Sequence, residues 1–420
     1  MSPQLLLSEM EKHLEQGVIP FWCARAVDPE QGGFRTNFDR NGAPLPCPEK
    51  YLNTQCRFIW WFSTLCRRYP SDPQYGRMAR DGVDFLIRHF WDGANGGWYW
   101  KTHADGSPLD TAKIGYGQSF AIYALSQYAL CVGDARGLDY ASRTFDLLQK
   151  YAADTLHGGY AENLDTAWTP FPDDQGGVNR KGLDTHMHLM EAYTVLYQAS
   201  KAEIHRRKLL QLIELIRTRM INTAQSCGRN QFDEDWNPLP AIAITRTWNA
   251  ERNGPGTAEP IDTTSYGHNV ELCWLIHRAL ESAGVDAAPY LPLTRAIIDH
   301  AMKEGVDWEH GGIYRDGLPG GSAVVLEKEF WQHAEALVGF IDAYQHFGDP
   351  RQLEAAGCIW RFIRDHMAAP AGEWRTLLSR DGRTAIDPNL GNPWKCSYHT
   401  GRGLTESVDR LRALLKATPK

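Results

Sequence analysis

A chain of 420 residues with 43% apolar and 23% charged side chains has an ordinary globular balance, large enough for one barrel-type domain or two or three smaller ones, and it excludes disorder and collagen-like architecture. Its net charge of −7, from 44 basic and 51 acidic residues with no long run of either sign, excludes the electrostatic footprint of a nucleic-acid or anionic-membrane binder and points to a neutral small molecule as partner. No apolar run approaches the roughly 20 residues that span a bilayer, and the short Leu5-Leu6-Leu7 run is followed by Glu9, Glu11 and Lys12, the wrong order for a secretion signal, so a cytoplasmic protein is expected.

Apolar periodicity near 3.6 predicts twelve helices, over 3–18, 52–69, 74–91, 116–132, 135–153, 184–199, 202–221, 266–283, 288–305, 328–346, 350–367 and 400–416. Short links predict antiparallel hairpins, and these alternate with long links rich in Gly, Pro, Asn and Asp. The long links repeat a signature: Gly32-Gly33-Phe34, Gly96-Gly97-Trp98, Gly158-Gly159-Tyr160, Gly311-Gly312-Ile313 and a weaker Gly372-Glu373-Trp374, with a decayed copy near Gly228. A period of about 60 to 80 residues without polar end caps reads as a closed ring, the all-α (α/α)6 toroid of six helix pairs, in one domain over 1–420. Nine scattered cysteines without a C-x-x-C pair read as reduced packing residues. The 15 Trp and 17 Tyr, many beside polar loops, suit the apolar faces of sugars as well as packing between loop and core.

In such a ring the long links lead into inner helices that all start at one end, so residues near those starts converge on one cavity. They are Arg57 in the second helix, Tyr116 and Gln118 in the fourth, Asp184, His186 and His188 in the sixth, His268 and Glu271 in the eighth, Glu329, Trp331 and Glu335 in the tenth, and Trp394, Tyr398 and His399 on the approach to the twelfth. His268 and Glu271 are spaced i, i+3, so a carboxylate could orient an imidazole; a capping box accounts for Glu271 alone. His188 and Glu191 repeat that spacing. On a helix His186 and His188 point about 200° apart, which argues against a metal pair, and an inward His188 donating to a substrate hydroxyl is expected instead. Arg57, among large apolar side chains, needs either an ion-pair partner or a negatively charged ligand oxygen. Trp331 and Glu335 share a face at i, i+4. Walker loops, G-x-G-x-x-G and nucleophile elbows are absent, so no cofactor is expected.

Two histidines and an arginine in a Trp-lined cavity suit proton transfer at a carbon beside a carbonyl: one imidazole removes the proton, Arg stabilises the enediolate and a second imidazole returns a proton on the opposite face. The segments THMHLMEAY, SYGHNVELCW, KEFWQHAE and NPWKCSYH resemble, in order and spacing, the motifs of the N-acylglucosamine 2-epimerase superfamily, most closely its cellobiose 2-epimerase branch. That resemblance implies a metal-free helical enzyme in which His268 and His399 are the acid/base pair, Glu271 supports His268, Arg57 binds the reacting oxygens and His188 assists ring opening or holds a hydroxyl. It further implies that Trp274, Trp331, Glu335 and Trp394 line or support the site. The sequence departs from the branch at Asp184 for Asn, Phe330 for Trp and Thr400 for Asn, and its segment 223–264 is long, which makes mannose or glucose as fitting a substrate as cellobiose. Two other activities compete: a mannose–fructose type isomerase, sharing the base but reprotonating at C1, and an inverting glycoside hydrolase, which needs two carboxyls about 6.5–9.5 Å apart.

Overall fold

The protein is described from a computed structural model that covers residues 1–171, 180–239 and 262–417. Twelve helical rods follow one another: α1 over 3–25, α2 Leu52–Arg68, α3 Pro73–His89, α4 Gly115–Val132, α5 over 135–152, α6 Leu183–Ser200, α7 over 203–220, α8 Tyr266–Ala283, α9 over 291–305, α10 Phe330–Phe347, α11 over 350–367 and α12 Ser397–Ala417. All twelve predicted helices are found. The first runs on to 25 because a π turn at Leu14–Val18 resets its periodicity; Gly17 there abuts the backbone of Gly372. The last begins at Ser397, which puts His399 in its first turn rather than in the preceding loop.

The even-numbered helices form the inner ring, each packed on the next, and α12 packs on α2 to close it. Five pairs are sequence hairpins. The sixth is made by the two ends of the chain, α1 lying against α12, so the expectation of six hairpins is corrected at the closure. Local chemistry builds these turns: α4, α8 and α10 end in left-handed Gly133, Gly284 and Gly348, while Asp72, Asp134 and Asp349 cap the outer helices α3, α5 and α11. The early turns of the inner helices are buried on every face, as rods enclosed by a second ring must be. No described helix is long and apolar enough to cross a membrane, and all nine cysteines are free.

The long links form a second, smaller ring of short strands at one end of the barrel, in which each link pairs antiparallel with the next: 49–51 with 101–103, 113–114 with 163–164, 181–182 with 231–232, 264–265 with 316–317 and 328–329 with 377–378. Phe38 bridges Gly391, joining the first link to the last. The repeated glycines serve this ring. Gly96 and Gly97 have φ of 72° and 75°, and a Cβ on Gly97 would lie 2.3 Å from the Trp168 ring. Residues 240–261 of the long segment 223–264 lie outside the described residues.

Five of the six links are pinned by an ion pair from a buried lysine that sequence inspection missed. Asp28–Lys50 and Asp92–Lys113 are each 2.9 Å, Asp154–Lys181 2.6 Å, Asp307–Lys328 3.1 Å and Glu373–Lys395 2.9 Å. The lysine always stands two residues before an inner helix. In the decayed copy that position is Thr264, whose hydroxyl donates to the Gly228 carbonyl instead.

Candidate active site

Because the inner helices start in register, equivalent positions do equivalent work. The fourth residue of each ties down a link: Gln55 to Phe34, Gln118 to Trp98, His186 to Tyr160, Asn269 to Gly228, His333 to Ile313 and Thr400 to Glu373. His186 and His333 are therefore structural imidazoles, each accepting a backbone N–H, and burial lowers them to about 4 and about 3. Thr400 belongs to this set, so its departure from the related sequences falls on a loop anchor and not on a sugar-facing position.

The cavity is lined from the first, second, third and sixth positions of these helices, not all of which reach it in every helix. Arg57, Tyr116, His188, His268, Phe330, Trp331 and His399 line one cavity with Glu329 and the loop residue Trp394. Arg57 is 2% exposed and makes no ion pair among the described residues. It donates to the Trp394 carbonyl at 3.1 Å and the Tyr116 hydroxyl at 2.8 Å, lies 4.4 Å over the Phe120 ring, and its Nε is without a hydrogen-bond partner. Of the two alternatives for Arg57, the ion pair is not found among the described residues. The guanidinium charge is held by aromatic faces and left available to the cavity. His268 and His399 both pack on Trp331, with ring centroids 4.6 and 5.7 Å away. The edge of the Tyr116 ring meets His188 at 5.2 Å.

Beneath the imidazoles lies a charge cluster. Arg402, fully buried at the sixth position of α12, bonds Glu191 and Glu271 and lies 2.8 Å from Glu335. His399 Nδ1 is 2.8 Å from Glu335 Oε1 and His188 Nδ1 3.1 Å from Glu191 Oε2, and Tyr398 donates to the same Glu191 oxygen at 2.8 Å. These carboxylates leave Nε2 of His399 and of His188 to the cavity. Burial pushes Glu271 and Glu335 up to about 7, since three carboxyls share one guanidinium. Glu191 is also buried, yet Arg402 and hydrogen bonds from His188 and Tyr398 prevail and hold it at about 2. Burial drives His399 well below the usual histidine value, with Arg57 and Arg402 acting in the same direction, so its imidazole is neutral near pH 7. Glu271, Glu335 and His399 could group around a metal ion, but the Arg402 guanidinium already bonds both carboxylates.

The expectations for Glu271 and Asp184 need correction, and that for Trp274, to line or support the site, narrows to support. Glu271 gives its Oε1 to Arg402 and its Oε2 has no hydrogen-bond partner, so it does not hold His268 as expected; carboxylates stand behind His188 and His399, through Glu191 and Glu335. Trp274 is buried 5.0 Å beneath the Arg402 guanidinium and supports the cluster without lining the cavity. Asp184 lies 3.8 Å from Arg180, which bonds Glu162 at 2.8 Å, and is not among the cavity-lining residues. Arg402 was missed altogether, although it follows His399 at i+3 and so shares its face.

The N-acylglucosamine 2-epimerase (GlcNAc 2-epimerase) family matches residues 32–401. The cellobiose 2-epimerase of Bacteroides fragilis is 32% identical, covering 95% of this chain and 97% of its own. The D-mannose isomerase of Marinomonas mediterranea is 25% identical over 93% of this chain and 94% of its own. The structure of the cellobiose 2-epimerase of Spirochaeta thermophila superposes with a TM-score of 0.86 at 30% identity, covering 98% of both chains. A ring whose inner-helix starts carry this histidine, arginine and glutamate set, matched along nearly its whole length, identifies the chain as an isomerase-class enzyme that belongs to the N-acylglucosamine 2-epimerase family.

Proposed function

We propose that the protein is a cofactor-independent sugar 2-epimerase interconverting glucose- and mannose-configured reducing sugars, with a monosaccharide or a β-1,4-linked disaccharide such as cellobiose as substrate. The observation that carries this reading is a pair of imidazoles, His268 and His399, in one cavity with an arginine that no carboxylate among the described residues neutralises. In the open-chain aldose one imidazole takes the C2 proton, the electron pair moves onto the carbonyl oxygen to give a cis-enediolate, and the other imidazole delivers a proton to the opposite face of C2. Arg57 stabilises the enediolate oxygens and His188 serves a hydroxyl or the ring oxygen during opening. Trp331 and Trp394 offer apolar faces to the sugar. An inverting hydrolase fits less well, because Glu191, Glu271 and Glu335 are all engaged by Arg402 behind the imidazoles.

Proton NMR in D2O with mannose, glucose and cellobiose tests the reading. The expected products are the C2 epimers deuterated at C2, formed equally well after treatment with EDTA. Fructose as the main product would favour the aldose–ketose isomerase of the same family, and glucose released from cellobiose without C2 deuteration would overturn the epimerase. Trp394→Ala is expected to raise KM about tenfold, about 1.4 kcal/mol of lost stacking, and Phe330→Ala less; the Trp394 backbone carbonyl that holds Arg57 survives the substitution. An unchanged KM in Trp394→Ala would remove that indole from the sugar site.

The acid limb of kcat/KM is also fixed in direction. His399 must be neutral to act as a base, and its value is depressed, so activity in the direction it serves should persist as pH falls through 6.5 and decline only below it. A limb centred above 6.5 for both epimers that persists in Glu271→Gln and in Glu335→Gln, whose carboxyls stand at about 7 in wild type, would exclude His399 as the base.

A further inference from the structure

The far end of the ring, where the inner helices finish, carries a second cluster that sugar chemistry does not use. His277 on α8 and Asp342 and His346 on α10 bring one ligand atom each to within 4.8 Å of one another. Asp342 and His346 are spaced i, i+4 on one helix face, and His277 comes from the neighbouring helix, so the three donors come from two rigid elements. The imidazole centroids are 4.1 Å apart. His277 Nδ1 lies 2.6 Å from Asp342 Oδ2, while His346 Nε2 lies 3.7 Å from Oδ1, too far for a hydrogen bond. His277 and Asp342 are buried, whereas His346 is 33% exposed, which gives an approach from solvent.

We propose that His277 Nδ1, Asp342 Oδ2 and His346 Nε2 form a binding site for a divalent cation of zinc type, completed by water on the His346 side. The donor set, two imidazoles and one carboxylate, is that of borderline-soft cations. Outer partners for its ligands are in place. His277 Nε2 is 2.9 Å from Thr294 Oγ1, an oxygen able to accept its N–H when Nδ1 is a ligand, and Arg410 holds the other carboxylate oxygen, Oδ1, at 2.7 Å. Arg410 is also the principal opposing charge, so a cation must bind through Oδ2 alone. The nearby C-terminal end of α10 favours positive charge. Binding displaces the proton between His277 Nδ1 and Asp342; the neutral ring takes up its other tautomer, with the proton on Nε2 facing Thr294, and the 2.6 Å separation must open to about 3.4 Å for two bonds of about 2.0–2.2 Å at a tetrahedral angle.

Cobalt(II), a spectroscopic stand-in for zinc, tests the site in the full-length protein by titration followed by visible absorption and by metal analysis after gel filtration. Wild type should bind one equivalent that EDTA removes. His346→Ala, which alters a partly exposed side chain, should weaken that binding at least about tenfold, and His310→Ala, a surface control, should leave it unchanged. Zinc should raise the unfolding temperature of wild type and of His310→Ala but not of His346→Ala. Absence of saturable binding in wild type, or equal binding in His346→Ala, would overturn the proposal. The C2 epimerisation assay is independent of this result, since none of the three residues belongs to the sugar cavity.

Discussion

Asparagine at His399 or at His268 is expected to lower epimerisation by at least about a hundredfold, the contribution of a general acid/base, while sugar binding persists. The more telling readout is isotopic. If the two imidazoles serve opposite faces of C2, a variant lacking one retains a base that removes the proton from a single epimer only. Deuterium wash-in at C2, followed separately from glucose and from mannose, should therefore survive for one epimer in His268→Asn and for the other in His399→Asn. The His268→Asn variant should also show a distinctive pH behaviour. Exchange that depends on His399 alone should continue below pH 6.5, because burial keeps that imidazole neutral. Epimerisation near the wild-type rate in both variants, or equal exchange of both epimers in either one, would end the two-base assignment and turn attention to the buried carboxyls Glu271 and Glu335.

The ring was legible because its repeat is written in glycine doublets and in helical periodicity, both of which depend on local chain geometry. The cavity was legible for a related reason. Once six helices start in register, position within the helix decides what a side chain does, and His188, Glu271 and Glu335 share the sixth position with Arg57 and Arg402. Direction on a single turn was legible, since His186 and His188 point about 200° apart on a helix, but what His186 meets on its side was not. His186 and His188 sit two residues apart, yet one anchors a loop and the other faces the cavity. Pairing across the ring was also out of reach. Glu271 stands one turn from His268 and was assigned to it, but its partner arrives from α12, whose position against α8 and α10 depends on the closure of the whole barrel. The lysines before each inner helix were passed over for the same reason, since a lysine in a polar link reads as solvated until the turn that buries it is seen.

Arg402 is where that closure carries the largest energetic consequence. Arg402→Met removes the only guanidinium bonded to Glu191, Glu271 and Glu335 among the described residues, leaving buried carboxyls without compensation, and a loss of about 3–5 kcal/mol of stability at neutral pH is expected. The sign of its pH dependence follows from the carboxyls. Burial already raises Glu271 and Glu335 to about 7 with Arg402 present, and without it they rise further above their ordinary value of 4.5. A carboxyl whose folded value is raised contributes full stability below its unfolded value and loses it as pH rises through the folded one. The variant should therefore fall furthest behind above pH 7 and less at pH 4.5, where the deficit that remains is that of Glu191, which Arg402 holds at about 2, as read from urea unfolding midpoints at the two conditions. Glu271→Gln and Glu335→Gln, introduced together into Arg402→Met, should recover much of the loss at neutral pH without restoring catalysis, because His399 then lacks the carboxyl partner that orients it. An equal deficit at both pH values, or no recovery in the triple variant, would mean that Arg402 acts through packing against Trp274 and Tyr398 and not as the shared counter-charge of the site.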